Sequence, residues 1–164
     1  SYPLVVFDAS TLILLAKIEL LPLVVERVAA VVAPQVEIEA TRQESRWDAK
    51  AVRVLIERRR ISVRKADPML TRRLAVDFRL EMGEASTLAL AKTQGGMVAT
   101  DDGVAIKACK LVGVPFVTAL HVLLQAAERR VVDRSMALVK TPFPVMTPPV
   151  IVGSRSSSSF TWRE

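Results

Sequence analysis

Five acidic residues stand where side chains can do chemistry: Asp8, Glu39, Glu84 and the adjacent pair Asp101 and Asp102. Asp8 closes the apolar run Leu4-Val5-Val6-Phe7, and Asp101 and Asp102 close the run Met97-Val98-Ala99-Thr100. Short continuous apolar runs of this kind read as buried parallel strands. Parallel sheets place their sites beyond the carboxyl ends of the strands. Glu84 opens an apolar helix just ahead of the second run, and Glu39 lies one turn into a helix after another strand, so all can reach one mouth of the sheet. Carboxylates sharing a pocket raise one another's pKa values, a cost that a cation offsets. Oxygen-only ligands suit Mg²⁺ or Mn²⁺. Such an ion activates water and stabilises charge on a phosphate in transfer. Taken one at a time, the same acids read as helix caps or solvated side chains, because Asp is a favoured N-cap.

The elements that must position these residues alternate between strand and helix. After the first strand, Ser10 or Thr11 can cap a helix through Ile18, and a second helical run covers Leu20 to Val28. Ala30 to Ala33 reads as a strand, and Pro34 opens the helix that carries Glu37 and Glu39. A charged helix is expected over Arg46 to Arg60, then a short strand at Ile61-Ser62-Val63. Asp67 caps a helix with Pro68 at its first position, Gly83 breaks the pattern, and an apolar helix runs from Ala85 to Thr93 before Gly95-Gly96. After the strand at Met97 come a helix from Val104 to Leu111, a strand at Pro115-Phe116-Val117, and a helix capped by Thr118 that runs to Arg130. This alternation predicts an α/β fold with a parallel sheet covered on both faces. Residues 1–140 read as one domain. Residues 141–164, rich in proline and then serine, read as an extended or disordered tail.

Composition narrows the partners. Lys and Arg number 23 against 17 Asp and Glu, a formal charge of +6, which favours a polyanion. Between Arg42 and Arg79 there are twelve Lys or Arg and five Asp or Glu. Arg58-Arg59-Arg60 is the densest run, with Arg46, Lys50 and Arg53 on the preceding turns, and these six are the expected contacts to the phosphates of such a polyanion. A solvated helix end and an anchor for an acidic partner are the competing readings of the same stretch. Trp47 is its only Trp, Tyr or Phe before Phe78, so a base-stacking platform is not expected. The single cysteine, Cys109, excludes an internal disulfide and a multi-cysteine zinc site, and suits the cytoplasm. The single histidine, His121, lies in an apolar helix and reads as structural, which excludes cleavage by a histidine pair. No signal-peptide pattern is seen, and no apolar run reaches the ~20 residues of a membrane span.

At these same residues the chain resembles the PIN-domain family. Val5-Val6-Phe7-Asp8-Ala9-Ser10-Thr11-Leu12-Ile13 is similar to its first motif, and Pro34-Gln35-Val36-Glu37-Ile38-Glu39 to its second. Gly83-Glu84-Ala85 with Leu88-Ala89-Leu90-Ala91 resembles the third, in the Gly-Glu-Ala form of one subgroup, and Val98-Ala99-Thr100-Asp101-Asp102 the fourth. Ala105, Ala108, Gly113-Val114-Pro115 and the helix at Leu120 to Leu124 fit that subgroup. The resemblance implies a three-layer sandwich with a central parallel sheet flanked by helices. It implies a ribonuclease that uses Mg²⁺ or Mn²⁺, of the VapC-like kind that forms the toxin half of a toxin–antitoxin pair. An antitoxin partner and a homodimer follow from the same likeness. It would give metal-ligand roles to Asp8, Glu39, Glu84 and one or both of Asp101 and Asp102, with Ser10 and Thr100 as hydroxyl helpers. Two departures stand: Glu37 competes with Glu39, and the third acid is Glu84 where Asp is commoner.

Rival functions use similar strand ends. A haloacid-dehalogenase-type phosphatase wants a second Asp two residues after the first, where this chain has Ser10. A phospho-receiver domain wants adjacent acids early and a Lys after the last strand, where Val117 leads into Thr118 and Ala119. A non-catalytic nucleic-acid- or partner-binding module on the same fold is the remaining alternative.

Overall fold

In a computed structural model, which describes residues 2–128, the chain forms a central parallel sheet flanked by helices. Strand β1 (Leu4–Phe7) leads into α1 (Ala9–Lys17) and the short α2 (Leu21–Val25). Strand β2 (Ala29–Val32) leads into α3 (Pro34–Thr41) and α4 (Trp47–Glu57). Strand β3 (Ile61–Val63) leads into α5 (Pro68–Phe78) and α6 (Met82–Gln94). Strand β4 (Met97–Ala99), α7 (Gly103–Val112), β5 (Phe116–Val117) and α8 (Ala119–Glu128) complete it. The Pro/Ser-rich tail and the end of the last expected helix lie outside the described residues.

The strand order is β3-β2-β1-β4-β5 and every pairing is parallel, with Val6 of β1 opposite Val31 of β2 and Val98 of β4. The chain therefore builds outward from β1 to one side and then crosses to the other. The order reverses between β1 and β4, which is where open parallel sheets form their crevice. Asp8 follows one of those strands and Asp101 the other. The backbone N–H of Asp8 still donates to Ala99 O at 3.0 Å, so the ladder holds Asp8 in register past the end of β1.

Val5, Val6, Phe7 and all three residues of β4 are buried, as strands covered on both faces require. α1 buries Leu12, Leu15 and Ala16 and packs against α3 and α4. α6 is buried without interruption from Ala85 to Ala91, so it is an interior helix rather than an amphipathic one. α5 packs along α6, and α7 meets both. Gly96 is required where α6 returns to the sheet: a Cβ there would lie 2.9 Å from Leu4 O.

Three boundaries differ from the sequence reading. Asp8, not Ser10 or Thr11, is the N-cap of α1, its carboxylate accepting from Thr11 N. Gly83 does not break a helix but lies in the first turn of α6, two residues after its N-cap Glu81. The helix expected over Leu20 to Val28 is shorter, because β2 already begins at Ala29.

Candidate active site

Asp8 is 4% exposed, yet both oxygens of its carboxylate accept hydrogen bonds. Oδ1 accepts from Thr11 N at 2.8 Å and from Ser10 Oγ at 3.3 Å, and Oδ2 accepts from Thr100 Oγ1. Burial raises its pKa; the hydrogen bonds from Thr100 and Thr11 oppose that, and the negative charge of Asp101 adds to it. Thr100, wholly buried just past β4, also accepts from Asp102 N at 3.2 Å, so one hydroxyl ties the end of β4 to Asp8.

Thr11 makes a second tie. Its Oγ1 donates to Asp101 Oδ2 at 2.7 Å while its N–H serves Asp8, and the residue has no solvent exposure. Asp101 also accepts from Ala119 N, at 3.1 and 3.3 Å, at the start of α8. Asp102 caps α7 through Ala105 N at 2.9 Å. Glu84 Oε2 accepts from Glu81 N at 3.1 Å, one half of a capping box that opens α6. Burial raises the pKa of Glu84, and Asp102, Glu81 and Asp8 each raise it further by repulsion.

Of the helices that start at this end of the sheet, α1, α6, α7 and α8 each begin at one of these acids, whose carboxylate accepts from a backbone N–H there. Capping, one of the competing readings of these acids, is what their hydrogen bonds show. The positive ends of the helices stabilise the carboxylates, and the caps fix their directions. A carboxylate has about four lone-pair sites, so accepting a cap leaves room for a further ligand. The donors are carboxylates and hydroxyls only, which is the chemistry that a hard divalent cation takes. Among the described residues no three His, Cys, Asp or Glu side chains close on one point; the nearest coupling is the Asp8–Thr11–Asp101 chain.

Glu39 is exposed, but its Oε2 lies 3.6 Å from where a Cβ on Gly83 would be. That carboxylate therefore lies beside the first turn of α6, one residue from Glu84. Glu39 also lines a cavity of about 230 Å³ with Lys17, Arg42 and Arg46. Glu37, its competitor in the sequence, sits in the first turn of α3, and its backbone carbonyl accepts from Thr41 Oγ1.

The expected basic surface divides. Arg46 lies beside Glu39 in that cavity, with Nε on the buried Asp48 at 3.1 Å and Nη1 on Gln43. Arg53 donates to Thr41 O at 3.2 Å, and Lys50 is exposed on the same helix. Arg58, Arg59 and Arg60 are exposed after the end of α4 and enter β3 at its amino end. Because all strands are parallel, that is the opposite end of the sheet from Asp8 and Asp101. The structure therefore does not bring the densest arginine run to the acids.

Thr11 is the site residue that sequence reasoning missed. The available signal was a hydroxyl three residues after a strand-end Asp, read there only as a helix cap. Ser10 is exposed and contributes its 3.3 Å contact to Asp8. Cys109 is buried, and burial pushes its thiol up to about 12, which leaves no thiolate for chemistry. His121 lies in α8, where its backbone N–H donates to Thr118 Oγ1.

A family model described as a PIN domain matches residues 4–141 of the chain. Among solved structures the chain is similar to PAE2754 from Pyrobaculum aerophilum, with 24% sequence identity and a TM-score of 0.54 over 78% of this chain and 99% of that one. No curated protein matches the sequence.

Proposed function

The chain belongs to the PIN-domain family, and from that premise we propose that it is a divalent-metal-dependent endoribonuclease that hydrolyses RNA phosphodiesters. The observation that supports this most is the bridge from Asp8 through Thr11 to Asp101, at the point where the strand order reverses. Asp8, Glu84, Asp101 and Asp102 would hold the ion, with Glu39 beside Gly83 at the edge of the group. When bound, Mg²⁺ or Mn²⁺ supplies a more acidic water and charge for the phosphoryl oxygens.

The residues of the chain do the positioning. Thr100 and Thr11 hold the two oxygens of Asp8 in fixed directions, so the carboxylate loses little freedom on accepting a ligand. Burial keeps water from screening Asp8, which strengthens its attraction for a cation. Mutual repulsion among Asp8, Glu84 and the two later acids has the same sign of consequence: it makes a cation's arrival favourable. The toxin role, the antitoxin and the homodimer are further parts of this reading that come from the family likeness. Among the described residues no helix is long and apolar enough to cross a membrane.

The test is cleavage of a mixed-sequence single-stranded RNA by the pure protein with Mg²⁺, with Mn²⁺ and with EDTA. Internal cleavage that needs the metal is the expected result. Salt-sensitive RNA binding with no cleavage under either metal would favour the non-catalytic module instead.

A further inference from the structure

A second cavity, of about 370 Å³, opens at the same end of the sheet, beyond β2 and β3. Pro34 and Gln35 border it two and three residues past β2, and Lys65 two residues past β3. Arg72 of α5 and Met82 and Ser86 of α6 complete the wall. Lys65 and Arg72 are exposed, and among the described residues neither makes an ion pair. No acid is among the described lining residues. The contrast with the cavity beside Glu39 is direct: there the basic groups share the space with Glu39 and Asp48, and Arg46 is spent on Asp48.

The first turn of α6 separates this basic groove from the acids. Met82 and Ser86, four residues apart, share one face of the helix, and Glu84 between them projects from the other. The distance across is about one helix diameter, ~10 Å, a short reach for an extended single strand. From this placement we infer that the groove is a phosphate subsite, in which Lys65 and Arg72 hold a backbone phosphate of the RNA strand whose scissile phosphate lies at the acids. The inference rests on the ribonuclease reading for the identity of the strand, but its chemistry is that of any single-stranded polyanion. It also reassigns the RNA surface: two cations at the correct end of the sheet take the place of the Arg58–Arg60 run at the other.

The experiment is binding of a fluorescent single-stranded RNA in EDTA, followed by anisotropy across a salt titration. It compares wild type, Lys65→Gln/Arg72→Gln and the charge-matched Arg58→Gln/Arg59→Gln. Each phosphate contact to a single strand contributes about 0.7 to the slope of log affinity against log salt. The Lys65/Arg72 variant is expected to lower that slope by about 1.4 and to weaken binding about tenfold at low salt, with the arginine control close to wild type. Both positions are exposed, so unchanged thermal unfolding checks that the fold is kept. An unchanged slope in the Lys65/Arg72 variant, or an equal fall in both variants, overturns the subsite. Because EDTA removes cleavage from the readout, the two proposals fail separately. A lowered slope without metal-dependent cleavage keeps the groove and loses the nuclease, and cleavage with an unchanged slope does the reverse.

Discussion

The two ends of one sheet differ in how their charges are held. At the carboxyl ends of β1 and β4, Asp8, Asp101 and Asp102 each accept defined hydrogen bonds, and Thr11 and Thr100 beneath them are wholly buried. At the amino end of β3, Arg58, Arg59 and Arg60 are exposed, and among the described residues their side chains make no hydrogen bond or ion pair. The denser charge is at the second end, but the engineered-looking constraint is at the first. Charge density in a sequence marks solubility as readily as a site. Buried polar groups with assigned partners carry a cost, so their presence points to a function more strongly.

This contrast breaks most sharply at Asp101. Asp101→Asn keeps a side chain that can accept from Thr11 and Ala119 but removes the charge. Metal-dependent cleavage is expected to fall on the order of 10²–10³-fold, measured as single-turnover rates with Mn²⁺. A fall below threefold would detach Asp101 from the site.

Thr11 is next. Thr11→Val preserves shape and the backbone N–H to Asp8 while deleting the hydroxyl to Asp101. Partners that orient ligands typically contribute 10–100-fold, so Mn²⁺ affinity by calorimetry should drop by about that factor. Thr11→Ser should restore most of it. If the serine variant behaves like the valine one, the hydroxyl is not the cause.

Asp8 also makes a prediction about stability. Its folded pKa lies above its ordinary value because of burial, so the native state binds its proton more tightly than the unfolded chain does. Stability in EDTA therefore decreases as pH rises from the ordinary carboxylate range through the raised native value, and stays lower above it. Asp8→Asn, which can still cap α1, should remove that loss and gain on the order of 1 kcal/mol at neutral pH, as relief of a functional strain often does. Urea unfolding in EDTA at acid and neutral pH checks it. An Asn variant less stable than wild type at neutral pH would contradict the desolvation account.

The smallest effect is expected at the other end of the sheet. Replacing Arg58, Arg59 and Arg60 with Gln should change the cleavage rate by less than about threefold, since a screened charge a sheet length away contributes little. A larger loss at physiological salt would mean that RNA spans both ends.

Much of the site was legible because strand-end acids carry a local signature. The runs Leu4 to Phe7 and Met97 to Ala99 are apolar, short and followed at once by Asp, so both strands and both acids could be placed from neighbouring residues alone. Glu39 is placed beside Gly83, while Glu37 sits in the first turn of α3. What local pattern does not contain is which end of a strand a charged run occupies in space. Arg58 to Arg60 precede β3 and Lys65 follows it, a separation of a few residues in the chain and of the full strand in the fold. Nor does it contain the hydrogen bond of Thr11 to Asp101, 90 residues away, which exists only because β4 pairs beside β1. The choice between Asp101 and Asp102 stayed open for a related reason: one reaches across to Thr11 and the other caps its own helix, and both lie at the same mouth.

The central claim is that Asp8 anchors a divalent metal for RNA hydrolysis. Its most direct test is to titrate Mn²⁺ into wild type and Asp8→Asn and to follow cleavage of the same single-stranded RNA by both. The account predicts that the variant folds, loses Mn²⁺ binding and loses metal-dependent cleavage together. A folded Asp8→Asn protein that cleaves RNA at the wild-type rate would contradict it.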